Sequence, residues 1–392
     1  MSDVAHSNHT TLMTGPLTFA MALATGAAVA NIYYNQPMLN VMAVDLPQAA
    51  PLIVPTTQLS YALGLFALVP LGDVMDRRRL IVIQLMVLTV ALLAMAFAQG
   101  TVMVLAASIF VGFTATVAQQ IIPFAAQLAA PSRRGATVGM LMSGLLGGVL
   151  LSRTIAGVVA TEFGWRAMYM IAAPIALATA AAMWACLPSM PPAARLRYAE
   201  IFPSMVVLWR TFPQLRRATF TQALLFAGFA AFWAVLPFYL AEPRFGLGAE
   251  VAGLFGVVAA VGLVAAPIAG RIADARGPHL VIKLGAIVAM FSWVLFAASP
   301  TLAALMIGVA LLDFGMHSAL VSNQTIIYSL RPEARARLNT IFMGSMFLGS
   351  AIGSAVASAA WQLAGWEAVA CVAGLASATA VFLQVLPNKS QA

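Results

Sequence analysis

Asp313 and His317 stand four residues apart inside a long apolar run, a spacing that places both side chains on one face of a helix. The run starts near Thr301, so eleven to twelve residues of helix carry Asp313 roughly 17 Å inward. A carboxylate at that depth of a bilayer costs about 2.5–3.5 kcal/mol on insertion scales, which makes it a functional candidate by default. An acid beside an imidazole, which titrates near neutrality, can hold and pass a proton. The same two residues also read as a satisfied polar pair that fixes helix packing. Arg153 is the other charge inside an apolar run. A buried cation seeks an acid, a carbonyl or an anionic group of a bound solute, and Asp313 is one such acid. Structural pairing and a part in coupling or solute binding both remain open for Arg153.

The uncharged polar residues within apolar runs are sparse: Asn31, Tyr33, Tyr34, Asn35, Gln36, Gln119, Gln120, Gln222, Asn323 and Gln324. Few polar groups in apolar walls suit a site for a small amphipathic solute, and Trp233 beside Phe232 could supply an aromatic wall. Each of these residues also has a plain use in packing or helix-to-helix bonding. The loose group Asp3, His6 and His9 reads as a polar tail. No phosphate-binding glycine loop, catalytic triad or Cys–His metal spacing occurs, so no cofactor, no metal and no enzymatic activity are expected, and ATP-driven transport within the chain is disfavoured.

The elements that must position these groups are membrane helices. The chain of 392 residues is 62% hydrophobic and 8% charged, with mean hydropathy +0.94; a soluble protein carries roughly 25% charged residues. Windows of bilayer length give twelve spans, at 17–42, 54–75, 80–99, 101–129, 136–160, 166–187, 218–241, 247–270, 280–299, 302–330, 338–362 and 366–386. The segment 188–217 between the sixth and seventh is rich in proline and arginine and reads as a linker. Within it Ile201, Met205, Leu208, Trp209 and Phe212 follow a helical spacing, as an amphipathic piece on the membrane surface would. The expected division is therefore a six-helix bundle over 1–187, a linker over 188–217 and a second bundle over 218–392.

Charge sets the orientation. Of the twenty Lys and Arg, only Arg166 and Arg244 fall at one face and Arg153 inside a span; the other seventeen lie at the opposite face or in the C-terminal tail. Positive loops stay cytoplasmic, so both termini are expected there. The net charge of +8 is thus a topology signal with some attraction to anionic lipid, and no nucleic-acid partner is expected. Cys186 and Cys371 fall near opposite faces and imply no disulfide. The polar interruption of span 1 makes a poor secretory signal, so an uncleaved first span is expected.

A short pattern occurs twice. Gly72-Asp73-Val74-Met75-Asp76-Arg77-Arg78-Arg79 ends span 2, and Gly270-Arg271-Ile272-Ala273-Asp274-Ala275-Arg276-Gly277 ends span 8, with Gly72 and Gly270, and Asp76 and Asp274, each offset by 198 residues. The carboxylate of Asp76 can meet backbone donors or basic groups of neighbouring helix ends, and the arginines can hold that face by charge-assisted hydrogen bonds. Gating and simple topology anchoring are both compatible with that. Gly144 with Gly148 in span 5, and Gly349 with Gly353 in span 11, repeat a four-residue spacing that lets another helix approach closely.

This duplicated loop, with twelve spans and a long central linker, resembles the major facilitator superfamily over essentially the whole chain. Asn31-Ile32-Tyr33-Tyr34-Asn35-Gln36-Pro37, Gln324 and Pro332-Glu333-Ala334-Arg335-Ala336-Arg337-Leu338-Asn339 are similar to its twelve-span bacterial drug-efflux type. The loop departs from the family pattern after Arg77, where Arg79-Leu80 lacks the second glycine. Ser108, four residues before Gly112, stands where drug–proton antiporters carry an arginine, and span 5 lacks their Gly-Pro. The resemblance implies an all-α polytopic membrane protein with two pseudo-symmetric six-helix bundles, in which the first and fourth helices of each half line a central cavity and Gly72 makes room for span 11.

Together these readings predict a secondary active transporter in a bacterial inner membrane, monomeric, exporting small amphipathic compounds or drugs against protons by alternating access. Proton-coupling candidates are Asp313, His317 and Arg153. Gating-loop candidates are Gly72, Asp76, Arg77, Arg78, Gly270, Asp274 and Arg276. Cavity candidates are Asn31, Tyr34, Asn35, Gln120, Gln222, Trp233, Asn323 and Gln324. The alternatives are uptake or facilitated movement of one metabolite, and a receptor or structural partner that keeps the fold without transport.

Overall fold

The computed structural model describes residues 13–190, 198–260 and 262–386. Asp3, His6 and His9, named above, and part of the linker, 191–197, lie outside the described residues. Helices account for the twelve spans as follows. Span 1 is Gly15–Ala30 and Asn35–Asp45, span 2 Ala50–Ala67 with a tight turn Pro70–Asp73, and span 3 Arg77–Ala96. Span 4 is Thr101–Ala115 and Ala118–Leu128, span 5 Arg134–Phe163, and span 6 Trp165–Cys186. After the linker helix Tyr198–Thr211 come span 7, Pro213–Leu240, and span 8, Ala249–Ala259 with Gly262–Arg276. Spans 9 and 10 are Pro278–Ala298 and Leu302–Leu330. Spans 11 and 12 share one helical stretch, Arg335–Val385, bent at Ala364 and Gly365, where Gly365 takes φ 67°. A side chain would strain that backbone, and glycine relieves it.

Span 1 breaks where its sequence requires. Pro37 cannot donate to the Tyr33 carbonyl, which instead accepts the closer Gln36 N–H at 3.2 Å. The Asn31 amide bonds back to the Ala27 and Ala28 carbonyls at 2.7 and 3.2 Å, competing with the backbone ladder. The result is a turn over 31–34 that redirects Tyr33 and Gln36 into the core.

The repeated glycines pack each half in the same way. A Cβ on Gly148 would sit 2.3 Å from the Gly26 carbonyl oxygen, and one on Gly353 2.3 Å from that of Ala227. Span 5 thus lies backbone-to-backbone on span 1, and span 11 on span 7, the equivalent helices of the two halves. Such faces let apolar helices associate through close packing rather than solvent exclusion. Gly353→Leu should lower the melting temperature in detergent through an overpacking cost of at least about 1–3 kcal/mol, because the neighbour is backbone and cannot rotate away. Gly147→Leu, with nothing within 4 Å, should leave it unchanged. Equal melting of both variants would reject this packing.

The halves meet through several pairs of helices. Opposite the arginine-rich face, Gly157 and Gly253 let spans 5 and 8 touch, and the Thr161 hydroxyl donates to Glu250 at 2.6 Å. Spans 2 and 11 meet through Tyr61 on Phe347, ring centres 4.3 Å apart, and through Phe66 against Gly344. On the arginine-rich side, a small pocket of about 50 Å³ lies among Gly72, Arg77, Gln120, Met205, Arg337 and Thr340.

Candidate functional site

Arg153 is 3% exposed and stands ten residues before the end of span 5, about 15 Å of helix, so it matches Asp313 in depth. Its Nε donates to the Gln36 side-chain oxygen at 2.8 Å, beyond the break in span 1. The guanidinium carbon lies 3.8 Å from the Trp233 ring centre, 4.8 Å from Tyr33 and 5.7 Å from Phe229. These faces attract the cation and replace part of its lost hydration. No carboxylate lies within 4.0 Å of it among the described residues, so the Asp313 ion pair that the sequence allowed does not form. The reason is local: Asp313 already has its own partner. His317 Nδ1 lies 3.3 Å from Asp313 Oδ2 and 3.0 Å from the Asp313 carbonyl oxygen. The Phe229 ring lies near both groups, its centre 6.5 Å from that of His317 and 5.7 Å from the Arg153 guanidinium carbon.

Asp313 is 5% exposed, and span 8 closes over it. A Cβ on Gly262 would lie 2.2 Å from Asp313 Oδ2 and 2.9 Å from His317 Nδ1. Only a residue without a side chain leaves room for the pair. Gly262 and Phe229 carry no signal in the sequence that marks them for this position. Tyr33 and Gln36 had one, because the helix-breaking Pro37 sets the turn that aims them.

The cavity candidates divide. Trp233, 1% exposed, belongs to the Arg153 cluster. Gln222 accepts from Asn323 at 3.2 Å across spans 7 and 10, and the Asn35 amide donates to Thr57 at 3.1 Å across spans 1 and 2. Gln324 reaches the Met343 sulfur at 3.9 Å, a loose contact with span 11. Asn31 bonds within its own helix, and Tyr34 is buried in the core. Gln120 donates to the Leu68 carbonyl at 3.0 Å and lines the space at the arginine-rich face.

The two copies of the loop pattern differ in build. In the first, Arg77 bonds the Gly72 carbonyl and Asp73, both at 2.9 Å, and Arg78 lies 4.4 Å over the Trp184 ring. Asp76 caps span 3 by accepting from the Arg79 N–H at 3.1 Å and takes the Ser189 hydroxyl, tying this turn to the end of span 6. The close neighbour of Gly72 is Gln120 of span 4, where span 11 was expected. In the second copy Gly270, Asp274 and Arg276 continue the helix of span 8, Gly270 has nothing within 4 Å, and Asp274 and Arg276 are exposed.

Burial pushes the Asp76 carboxyl up, but the Ser189 hydroxyl and the N–H groups of Arg79, Arg78 and Met190 outweigh it and hold the group below the usual carboxylate value. A depressed folded pKa gives stability that is present above the unfolded value, about 3.9, and lost as pH falls below it. Asp76→Asn should therefore melt lower than the parent at neutral pH, and the gap should begin to close near about pH 4 and vanish as pH falls through the depressed folded value. A gap independent of pH would exclude this role for the carboxylate.

Ten helical stretches among the described residues are long and apolar enough to cross a membrane, one of them bent into two spans, and buried charge lies among them, which is the build of a polytopic membrane protein. A Major Facilitator Superfamily profile matches residues 17–299 and 218–391. The uncharacterized transporter YgaY of Escherichia coli O157:H7 is 38% identical over 362 residues, spanning 91% of this chain and 92% of that one. The probable transporter SCO4007 of Streptomyces coelicolor is 34% identical over 362 residues, 90% of this chain and 83% of that one. The crystal structure of the nucleoside transporter NupG superposes with TM-score 0.78 at 11% identity, over 94% of this chain and 98% of that one, a likeness of fold. The chain belongs to the Major Facilitator Superfamily.

Proposed function

We propose that this transporter is proton-coupled and moves small, largely apolar or amphipathic compounds by alternating access, with Asp313 and His317 as the proton-carrying pair. The observation that carries the reading is the buried acid and imidazole, 3.3 Å apart, beneath a glycine that leaves them space. Export is the favoured direction, on the similarity of the span 1 and span 10 segments to drug-efflux carriers. In this reading the chain sits in a bacterial inner membrane as a monomer with both termini cytoplasmic, and the bundles 1–187 and 218–392 rock about the central cluster, joined by 188–217. The contacts of span 5 with span 8 and of span 2 with span 11 are the ones that such a cycle would open in turn. The built loop at Asp76 would steady the arginine-rich side in that cycle.

The driving force suffices. One proton moving through about 100 mV releases about 2.3 kcal/mol, and one pH unit adds about 1.36 kcal/mol. Their sum, about 3.7 kcal/mol, supports roughly a 500-fold solute gradient at tight coupling. The test is the purified chain in liposomes with a trapped pH dye and a panel of lipophilic cations, amphipathic drugs and small metabolites. Proton movement provoked by a compound supports coupling. Compound movement without proton movement replaces this reading with facilitated transport of a metabolite.

A further inference from the structure

Two buried hydrogen-bond donors in the central cluster have no acceptor. Arg153 Nη2 and Trp233 Nε1 both lie out of contact with solvent and make no hydrogen bond among the described residues, although the guanidinium stacks 3.8 Å over the Trp233 ring. Both groups donate only. Leaving such a group unpaired costs about 1–3 kcal/mol, and more where it is charged. Gln36 satisfies Nε, and three aromatic faces soften the charge. Neither supplies an acceptor for Nη2, and neither supplies a counter-charge. The acid at the same depth is engaged with His317 and makes no ion pair with Arg153. The cluster is thus a cation held in aromatic walls, lacking an acceptor that carries negative charge.

We propose that Arg153 and Trp233 recognise a carboxylate on the transported solute, so that the preferred solutes are small organic monoanions with an apolar or aromatic body. A guanidinium offers paired N–H groups that match the two oxygens of a carboxylate, and such charge-assisted bonds are about twice as strong as neutral ones. Tyr33, Phe229 and the Trp233 ring give the apolar body its walls. A solute bearing an ammonium group meets like charge at Arg153 and is rejected. The assignment rests on the transport reading for the passage of the solute and not for its binding.

Titration calorimetry on the full chain in detergent at neutral pH tests this with matched probes: phenylacetate, phenylacetamide and phenethylammonium, with octanoate and salicylate as further carboxylates. Phenylacetate should bind at least about tenfold more tightly than phenylacetamide, and phenethylammonium should give no binding. R153Q should erase that preference, and R153K should keep part of it, because it keeps the charge without the planar fork. W233F retains an aromatic face but loses the N–H and part of the ring, so it should weaken phenylacetate severalfold and leave the order of the probes intact. These last two variants carry the test if R153Q does not fold. Equal binding of the amide or the ammonium probe, a carboxylate preference that survives R153Q, or no binding by any of the three carboxylates would each overturn the assignment. Carboxylate binding without proton-linked flux would leave recognition standing and remove the coupling. Proton-linked flux of neutral or cationic compounds with no carboxylate preference would do the reverse.

Discussion

Asp313→Asn should collapse uphill transport while leaving exchange of solute across the membrane in place. Asparagine keeps the shape of the side chain and can still meet His317, so packing survives, but it cannot take up and release a proton. The accumulation ratio in liposomes carrying both a pH gradient and a potential should fall from as much as roughly 500-fold toward unity. Solute-for-solute exchange, which needs no net proton movement, should continue. Measuring both in one preparation separates lost coupling from a misfolded protein. Undiminished accumulation by Asp313→Asn would remove Asp313 from the coupling mechanism and leave the pair a packing feature.

Gly262→Ala should have a comparable effect from a different helix. The added methyl would stand 2.2 Å from the Asp313 carboxylate oxygen and 2.9 Å from the imidazole nitrogen, too close for either to stay. The colliding atoms are the tips of side chains, not backbone, so the pair should separate and the helices should hold. Proton-linked flux should be lost, with a melting temperature lowered by no more than about 4 °C. Normal proton linkage in this variant would mean that the 3.3 Å approach of His317 to Asp313 is not needed for coupling. Gly147→Ala, with open space around it, is the matching control.

These effects lie close together in the fold, but they were not equally legible in the chain. Asp313 and His317 could be paired by counting, because four residues of helix always bring two side chains to one face. Their overhead neighbour Gly262 could not, since nothing local states which face span 8 turns toward span 10. The loop pattern shows the same limit. Its two copies match in residue type and spacing, yet Asp76 caps a helix and takes Ser189, while Asp274 continues a helix into solvent. The difference comes from Pro70 and the tight turn Pro70–Asp73, which ends span 2 before the acid; span 8 runs on to Gly277, where φ is 85°.

From the sequence alone came the membrane solvent, twelve spans, the duplication, and the glycine faces of spans 5 and 11. Each follows from composition or from the fixed rise and repeat of a helix. The tertiary structure alone decided what those faces and charges meet. Arg153 could have paired with any acid, carbonyl or solute; Gln36, 117 residues away, and the Trp233 ring hold it, and no acid does. Apolar helices in a bilayer have little solvent-driven preference for one rotation over another. Their mutual rotation is set by how small residues let backbones approach, and that is a property of pairs of helices brought together by the fold.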